Sequence, residues 1–425
     1  MIRSLRTGVT GLRANQLRLD AIGNNIAGVN TTGFKRSRVL FQDALTQRIA
    51  TGGRLSNGLP AGVSNMGNGV SAAAVDQVWS QGSLDYTNLP TDLALAGDGF
   101  FMAKSGQGNV LTRGGAFSFD SDGYLVTQGG LRVQGWKAGA NGEVTTGPLS
   151  DVRLDLGLTS DPVRTDAISV AGNLSAERLA GAGEPVTMSS VIYDGTGLAH
   201  TVVVTVEKTA DGDAAAAPPT RDEWTVTSAE IAGDPNATPP VAATPLTVGN
   251  DTLAFEADGS LAAGGDVALS GTFPDGSALA IDFDMTTVTQ FGGSTTTSVA
   301  DQNGAPAGDL VDYRFDQAGR LLLSFTNGAR VTAAQLALGA VANPDGLDQI
   351  GDGFYSTTAA SGGLRIGRGG AEVSANVISG ALETSNVDLA EEFTDMIVAQ
   401  RGYQANARVI TTSDELLQET VQLKR

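Results

Sequence analysis

All fourteen prolines of this 425-residue chain lie between Pro60 and Pro344, so neither end contains a helix breaker. Both ends show helical periodicity. Ile2, Leu5, Val9, Leu12, Leu19 and Ile26 follow 3-4 spacing, with Gln16 and Gly23 as defects. Leu389, Phe393, Met396, Tyr403, Ala407, Ile410, Leu417 and Val421 follow the same spacing, broken at Gln400 and Asp414. Ser385 is the expected N-cap of the second helix. Asp388, Glu391 and Glu392 load its first turn, and Lys424 and Arg425 close its last, as the helix dipole favours. Such a helix would run about 55 Å, longer than one small domain is wide. The charges are complementary: residues 1–40 carry seven Lys/Arg and one acid, whereas 380–425 carry eight acids and four bases. The pattern predicts termini that pair and then pack on something else. A plain intramolecular hairpin of helices with no partner fits it equally well.

The net charge is −19, and the stretch between the ends holds more than all of it. No basic stripe there could follow a phosphate backbone, which argues against a nucleic-acid partner. There is no cysteine, which excludes disulfides, thiolate metal sites and thiol nucleophiles. No apolar run approaches the roughly 18 residues of a spanning helix. The N-terminus has bases but no continuous apolar region or A-x-A site, so a secreted form would need another route of export. With 56 glycines and 5% aromatics, the middle reads as β-structure with frequent tight turns.

Hairpin signals recur from about residue 95. Phe117-Ser118-Phe119, Asp120-Ser121-Asp122-Gly123 and Tyr124-Leu125-Val126 read as strand, turn, strand. The phrase returns as Tyr313-Arg314-Phe315, Asp316-Gln317-Ala318-Gly319 and Leu321-Leu322-Leu323, and Gly97-Asp98-Gly99-Phe100-Phe101 is echoed by Gly351-Asp352-Gly353-Phe354-Tyr355. The echoes predict one β-domain built from both sides of an insertion at 159–293. Within the insertion, strands are expected at 168–170, 187–193, 200–206, 253–255, 276–283 and 285–289. The Ala/Pro-rich stretches 214–219 and 235–245 are expected to be loops.

The expected fold class is α+β: paired, coiled-coil-like terminal helices plus two mainly-β domains, the outer inserted into the inner. The expected division is 1–35 and 380–425 for the helical assembly domain, 36–79 and 372–379 for an irregular connector, 80–158 and 294–371 for the core β-domain, and 159–293 for the outer one.

No catalytic constellation emerges. Asp120-Ser121-Asp122-Gly123 begins like a calcium loop, but Leu125 and Leu131 stand where an EF-hand needs Gly and Glu, so it reads as a turn. His200 is the only histidine and reads as a surface or edge residue. Gly97-Asp98-Gly99 lacks the Lys-Ser/Thr of a phosphate loop. Catalytic, cofactor-binding and metal residues are therefore all expected to be absent, as are cofactors and a small-molecule substrate.

Three long phrases carry a resemblance. The first runs from Ala14 to Lys35 around Asn24-Asn25-Ile26-Ala27 and Asn30-Thr31-Thr32-Gly33-Phe34-Lys35. The second runs from Ser80-Gln81-Gly82 through Asp92 to Gly97-Asp98-Gly99-Phe100-Phe101, continued by Leu111-Thr112-Arg113-Gly114-Gly115. The third joins Ser385-Asn386-Val387-Asp388-Leu389 to Ala399-Gln400-Arg401-Gly402-Tyr403-Gln404-Ala405-Asn406. Together they resemble the flagellar rod and hook axial family. Chain length, the 159–293 insertion, the ending Leu423-Lys424-Arg425 and the phrase Val191-Ile192-Tyr193-Asp194-Gly195-Thr196-Gly197 favour the hook branch over a distal-rod subunit. A secreted β-rich adhesin and an enzyme stand further off.

The resemblance implies an extracellular structural subunit, exported without a cleaved signal, that self-assembles into a curved tube joining rod to filament. The tube would transmit torque as a universal joint. The implied partners are other copies of the chain, a hook cap protein, the distal rod, hook-filament junction proteins and the flagellar type III export apparatus. Assembly is expected to use Ile2, Leu5, Val9, Leu12, Leu19 and Ile26 with Leu389, Phe393, Met396, Gln400, Arg401, Tyr403, Gln404, Asn406, Ile410 and Leu417. The resemblance marks Asn24, Asn25, Ile26, Asn30, Thr31, Gly33, Phe34, Gly97, Gly99, Phe100 and Phe101 as signature residues.

Overall fold

A computed structural model describes residues 2–44, 46–50, 64–67, 69–106, 108–139, 142–155, 157–181, 183–212, 221–233 and 242–422. The expected loops at 214–219 and 235–241, the turns at Gly52-Gly53, Asn57-Gly58 and Asn68, the closing Leu423-Lys424-Arg425 and the side chains of Ile2 and Val421 lie outside the described residues. The chain is mostly β with a helix at each end, α1 (Ile2–Ala27) and α2 (Leu389–Gln422). It divides into two compact units. One holds Met1–Leu156, Asp312–Leu323 and Val331–Arg425, and the other holds Gly157–Val311 and Ser324–Arg330.

In the first unit, segments before residue 157 pair with segments after residue 330. Leu93–Gly97 lies antiparallel to Ala375–Ser379, and Leu84–Tyr86 to Ala381–Glu383. Phe100–Ser105 is flanked by Gly108–Thr112 and Leu338–Ala340, and Phe354–Ser356 adds to Gly108–Thr112. The apolar faces enclose Phe100, Met102, Leu111, Trp136 and Tyr355. Trp79 stacks edge-on against both Phe100 and Tyr355, at 5.3 and 5.1 Å, so the two Gly-Asp-Gly phrases end on one aromatic cluster. The echoed turns share a geometry. Asp120 Oδ1 accepts from the amides of Asp122 and Tyr124, and Asp316 Oδ1 from those of Ala318 and Arg320. Asp120 serves the backbone as a turn residue.

Two expectations about the connector fail. Residues 36–79 are not irregular: Ser37–Asp43 pairs with Val70–Gln77, and Thr46–Ala50 with Ser64–Gly67, as an extended β-hairpin. Ser37–Asp43 and Val70–Gln77 hide few apolar residues, with Leu40, Phe41 and Val75 exposed, so this part of the sequence lacks the alternation that betrays a half-buried strand. Residues 375–379 are a core strand, fixed by pairing with residues some 280 positions away, which no local pattern reports.

The second unit packs a five-stranded sheet against a six-stranded one. The first runs in the order Thr247–Gly249, Asp266–Thr272, Ala278–Phe291, Ala167–Ser175, Ser298–Gln302. The second runs Val186–Tyr193, Ala199–Ala210, Asp222–Ile231, Thr252–Phe255, Leu261–Ala263, and its sixth strand, Thr244–Pro245 at the end of an expected loop, pairs with Asp222–Ile231. Alternating residues of both, Val204, Trp224 and Phe255 from one and Val170, Ile281 and Phe283 from the other, form a single core. The strands expected at 276–283 and 285–289 are one, Ala278–Phe291. Residues 294–311, expected in the core domain, belong to this unit, because Ser298–Gln302 pairs with the Ala167–Ser175 strand.

His200 is half-buried in this unit rather than a surface residue. Its Nε2 lies 3.1 Å from Asp194 Oδ2, and its ring lies 5.2 Å from that of Phe273. Asp194 Oδ1 also accepts from the Thr196 amide and hydroxyl and the Leu198 amide, at 2.7–3.0 Å. Burial pushes the Asp194 carboxyl up, but the bonds from Thr196, His200 and the backbone outweigh it and hold the group far below 3.8. A depressed carboxyl stabilises the fold above its unfolded value and loses that contribution as pH falls through the folded one. Asp194→Asn should therefore cost this unit about 1–3 kcal/mol at pH 7. Thermal melts between pH 7 and pH 2 should show a shallower acid-dependent loss than the native chain.

Candidate functional site

The ends of the chain meet as an antiparallel helix pair. Ser4 Oγ lies 3.2 Å from Ser413 Oγ, Arg18 bonds Asp395 at 3.0 Å, and Asn25 Nδ2 donates to Glu392 Oε2 at 3.2 Å. Between these contacts sits a reciprocal arrangement. A Cβ on Gly11 would come within 2.6 Å of Asn406 Oδ1, and one on Gly402 within 2.8 Å of Asn15 Oδ1. Each asparagine folds back to donate to the glycine carbonyl four residues earlier in its own helix, Asn15 to Gly11 at 2.8 Å and Asn406 to Gly402 at 2.9 Å. Both helices thus carry Gly-x-x-x-Asn, and each glycine makes the hollow that receives the other helix's asparagine. Glycine inside a helix costs about 0.5–1 kcal/mol relative to alanine, which close approach of the backbones offsets.

This seam is not the one expected from the heptads. The N-terminal stripe is rotated by one position: Gly8, Gly11, Ala14, Ile22 and Asn25 are buried, while Leu5, Val9, Leu12, Leu19 and Ile26 are half-buried beside them. Gln16 and Gly23, defects in the apolar stripe, are exposed. On α2 the enclosed positions are Glu392, Ala399 and Ser413, with Met396, Asn406, Ile410 and Leu417 half-buried. Leu389, Phe393, Gln400, Arg401, Tyr403 and Gln404 are exposed. The reason is steric: small residues admit the closer approach, and the larger apolar residues are displaced to the flanks. The cap is also displaced. Asp388 Oδ1 receives the amides of Ala390 and Glu391, whereas Ser385 Oγ receives only that of Val387.

At the foot of the seam all three signature phrases converge on a buried charged joint. Lys35 and Glu383 are wholly buried, and Lys35 Nζ donates to Glu383 Oε1 at 2.6 Å and to the Ser80 carbonyl at 2.8 Å. Glu383 Oε1 also accepts from the Gly82 amide at 2.9 Å, and Oε2 lies 3.5 Å from Arg113 Nη1. Arg113 Nη2 donates to the Gly97 carbonyl at 2.8 Å. Around the joint, Asn386 Oδ1 accepts from the Arg36 amide and its Nδ2 donates to the Val78 carbonyl, while Asn25 exchanges two 2.8 Å bonds with the Ser37 backbone.

Gly33 has φ +69, and its amide donates to the Glu383 carbonyl at 2.8 Å. A Cβ there would strike the Arg113–Gly114 backbone at 2.6 Å. Phe34 lies on Gly28, and Gly99, Phe100 and Phe101 are buried in the core, but Asn24, Asn30, Thr31 and Gly97 are exposed. Burial pushes both the Lys35 ammonium and the Arg113 guanidinium down, against the pull of Glu383.

Lys35, Arg113 and Glu383 stood in or near the signature phrases, and nothing local in the sequence marks them as partners. Arg113 and Glu383 each stand as a lone charge amid small and apolar neighbours, whereas Lys35 is followed at once by Arg36. Among the described residues, no group of three or more His, Cys, Asp or Glu side chains could hold a metal.

The seam carries its own test. Gly11→Val drives a branched side chain into Asn406 and should cost the helix pair about 1–3 kcal/mol. Combined with Asn406→Ala, which empties the hollow, it should cost less than Gly11→Val alone. Amide hydrogen exchange along α1 reads both, and additive losses would show that the two residues do not share a contact.

The flagellar hook protein FlgE/F/G D1 domain matches residues 94–175, and the flagellar basal body protein FlaE D2 domain matches 185–305. The flagella basal body rod protein family matches 5–35, and the flagellar basal body rod FlgEFG protein C-terminal family matches 378–423. The flagellar hook proteins FlgE of Treponema pallidum (strain Nichols) and Borreliella burgdorferi are each 35% identical, with all of both chains covered. That of Salmonella typhimurium is 31% identical, covering 99% of this chain and all of its own. The crystal structure of Helicobacter pylori flagellar hook protein FlgE2 superposes with a TM-score of 0.51 at 15% identity, over 71% of this chain and all of that one, a likeness of fold. With identities of this size over its full length, the chain belongs to the flagellar hook protein FlgE family.

Proposed function

We propose that the chain is the structural subunit of a bacterial flagellar hook, polymerising outside the cell into a curved, flexible tube. One observation supports this reading above the others. The helix pair closes through small and polar residues together with Ile22, and leaves several large apolar ones uncovered. Phe393, Ile397 and Leu416 of α2 are 50–59% exposed, and Leu5, Val9, Leu12, Leu19 and Ile26 of α1 are only half-buried. An isolated subunit gains little by carrying such stripes, whereas a polymer can bury them between copies.

The second unit, Gly157–Val311 with Ser324–Arg330, is the outer domain inserted into the core domain. Its exposed strand positions are rich in Thr, Asp, Ala and Ser, so contacts between copies there can slide as the tube bends. The terminal pair forms the inner assembly domain. The subunit works with a cap protein, the distal rod, the junction proteins and the type III export apparatus, and it is not an enzyme.

Electron microscopy of purified subunit in precipitating salt tests the reading, with curved tubes as the expected result. Straight rods would point to a rod protein, and persistent monomers would overturn assembly altogether. Leu12→Asp places a charge on the α1 flank, where burial between copies would leave it unpaired at a cost of several kcal/mol. It should abolish tubes while both β-rich units keep their melting transitions. Normal tubes from this variant would remove the α1 flank from the assembly surface.

A further inference from the structure

We propose that Glu383 is a conditional counter-ion: segments 28–37 and 78–84 close onto the core only when the strand Ala381–Glu383 is in place. The helix pair then cannot form on a chain whose C-terminal strand has not docked. The inference stands on the joint itself and does not depend on the hook reading.

Two cations are buried there against one carboxylate. Lys35 and Glu383 are wholly buried and Arg113 is 5% exposed, and both cations lie within 3.5 Å of Glu383. Asp98, another carboxylate that acts on Arg113, is solvent-exposed. Without Glu383, closing the joint would place two like charges in a dry site, and removing one partner from a buried ion pair is strongly destabilising. The carboxylate arrives from far away, 348 residues from Lys35 and 270 from Arg113.

The strand also carries its own closure signals. The Glu383 carbonyl takes the Gly33 amide, its Oε1 takes the Gly82 amide, and the Thr384 amide donates to Ser83. Six residues beyond Glu383, α2 begins, and the first contacts of the seam follow at once. Arg36 bonds Glu391 at 2.7 Å, and Asn25 bonds Glu392 at 3.2 Å. Strand docking, charge neutralisation and the start of the seam therefore fall within the twelve residues 381–392.

Amide hydrogen exchange on the full-length free subunit tests this, with strands 100–112 as internal reference. Glu383→Gln keeps the shape and removes the charge. It should raise exchange across 28–37 and 78–84 on the order of 100-fold while 100–112 stays protected. Glu391→Gln, which removes the exposed partner of Arg36, should change exchange by less than about 3-fold. The triple variant Lys35→Met, Arg113→Met, Glu383→Leu removes every charge of the joint and should recover protection to within about 10-fold of native.

Native-like protection in Glu383→Gln would overturn the proposal. So would equal opening of 100–112, which would make the joint an ordinary part of the core. A triple variant as open as Glu383→Gln would show that packing rather than charge closes the segment. A native subunit with 28–37 already unprotected would show that the joint does not close at all.

Discussion

The first unit of this molecule joins its two ends through one carboxylate shared by two buried cations. Burying an ion is expensive, and a close counter-ion with hydrogen bonds to the remaining donors and acceptors offsets part of that cost. Here Glu383 takes Lys35, Arg113 and the Gly82 amide, Lys35 also reaches the Ser80 carbonyl, and Arg113 the Gly97 carbonyl, while Arg113 Nε is buried without a partner. Apolar residues of similar volume could hold these segments together as well, but they would accept many arrangements. A charge triad accepts very few. It joins the segment that follows α1 at Lys35 to the strand that leads into α2 at Leu389, the two helices in which Gly11 meets Asn406.

What the sequence disclosed follows from what leaves a local trace. Helices at the ends were legible because fourteen prolines avoid them and their apolar residues recur with the right period. The echoed turns were legible because Asp120 and Asp316 act on amides only two and four residues away. The face that joins the helices was not. Apolar periodicity marks the stripe formed by Leu5, Val9 and Leu12, whereas steric fit selects the neighbouring one formed by Gly8, Gly11 and Asn15. A search for large apolar residues passes over a seam made of glycine and asparagine.

Long-range pairing accounts for the other gaps. The strand at 375–379, the reach of the second unit to Val311 and the joint of Lys35 with Glu383 all join residues more than a hundred positions apart. The hairpin at 37–77 escaped for a different reason. Its exposed strands bury little on either face, so the alternation that identifies strands elsewhere is muted. The core phrases, with their aromatic and β-branched residues, had no such handicap.

The glycine–asparagine seam has a thermodynamic consequence. The heat capacity released when surfaces associate scales with the apolar area removed from water, and polar area works in the opposite direction. A contact built from glycines and self-bonded asparagines therefore carries a small heat-capacity change, so its free energy follows a nearly straight line in temperature. Contacts that cover Phe393, Ile397 and Leu416 carry a large one and weaken on cooling. The fold thus gives the closure of the chain upon itself a nearly linear dependence on temperature, and leaves exposed the apolar side chains whose burial would have a curved one.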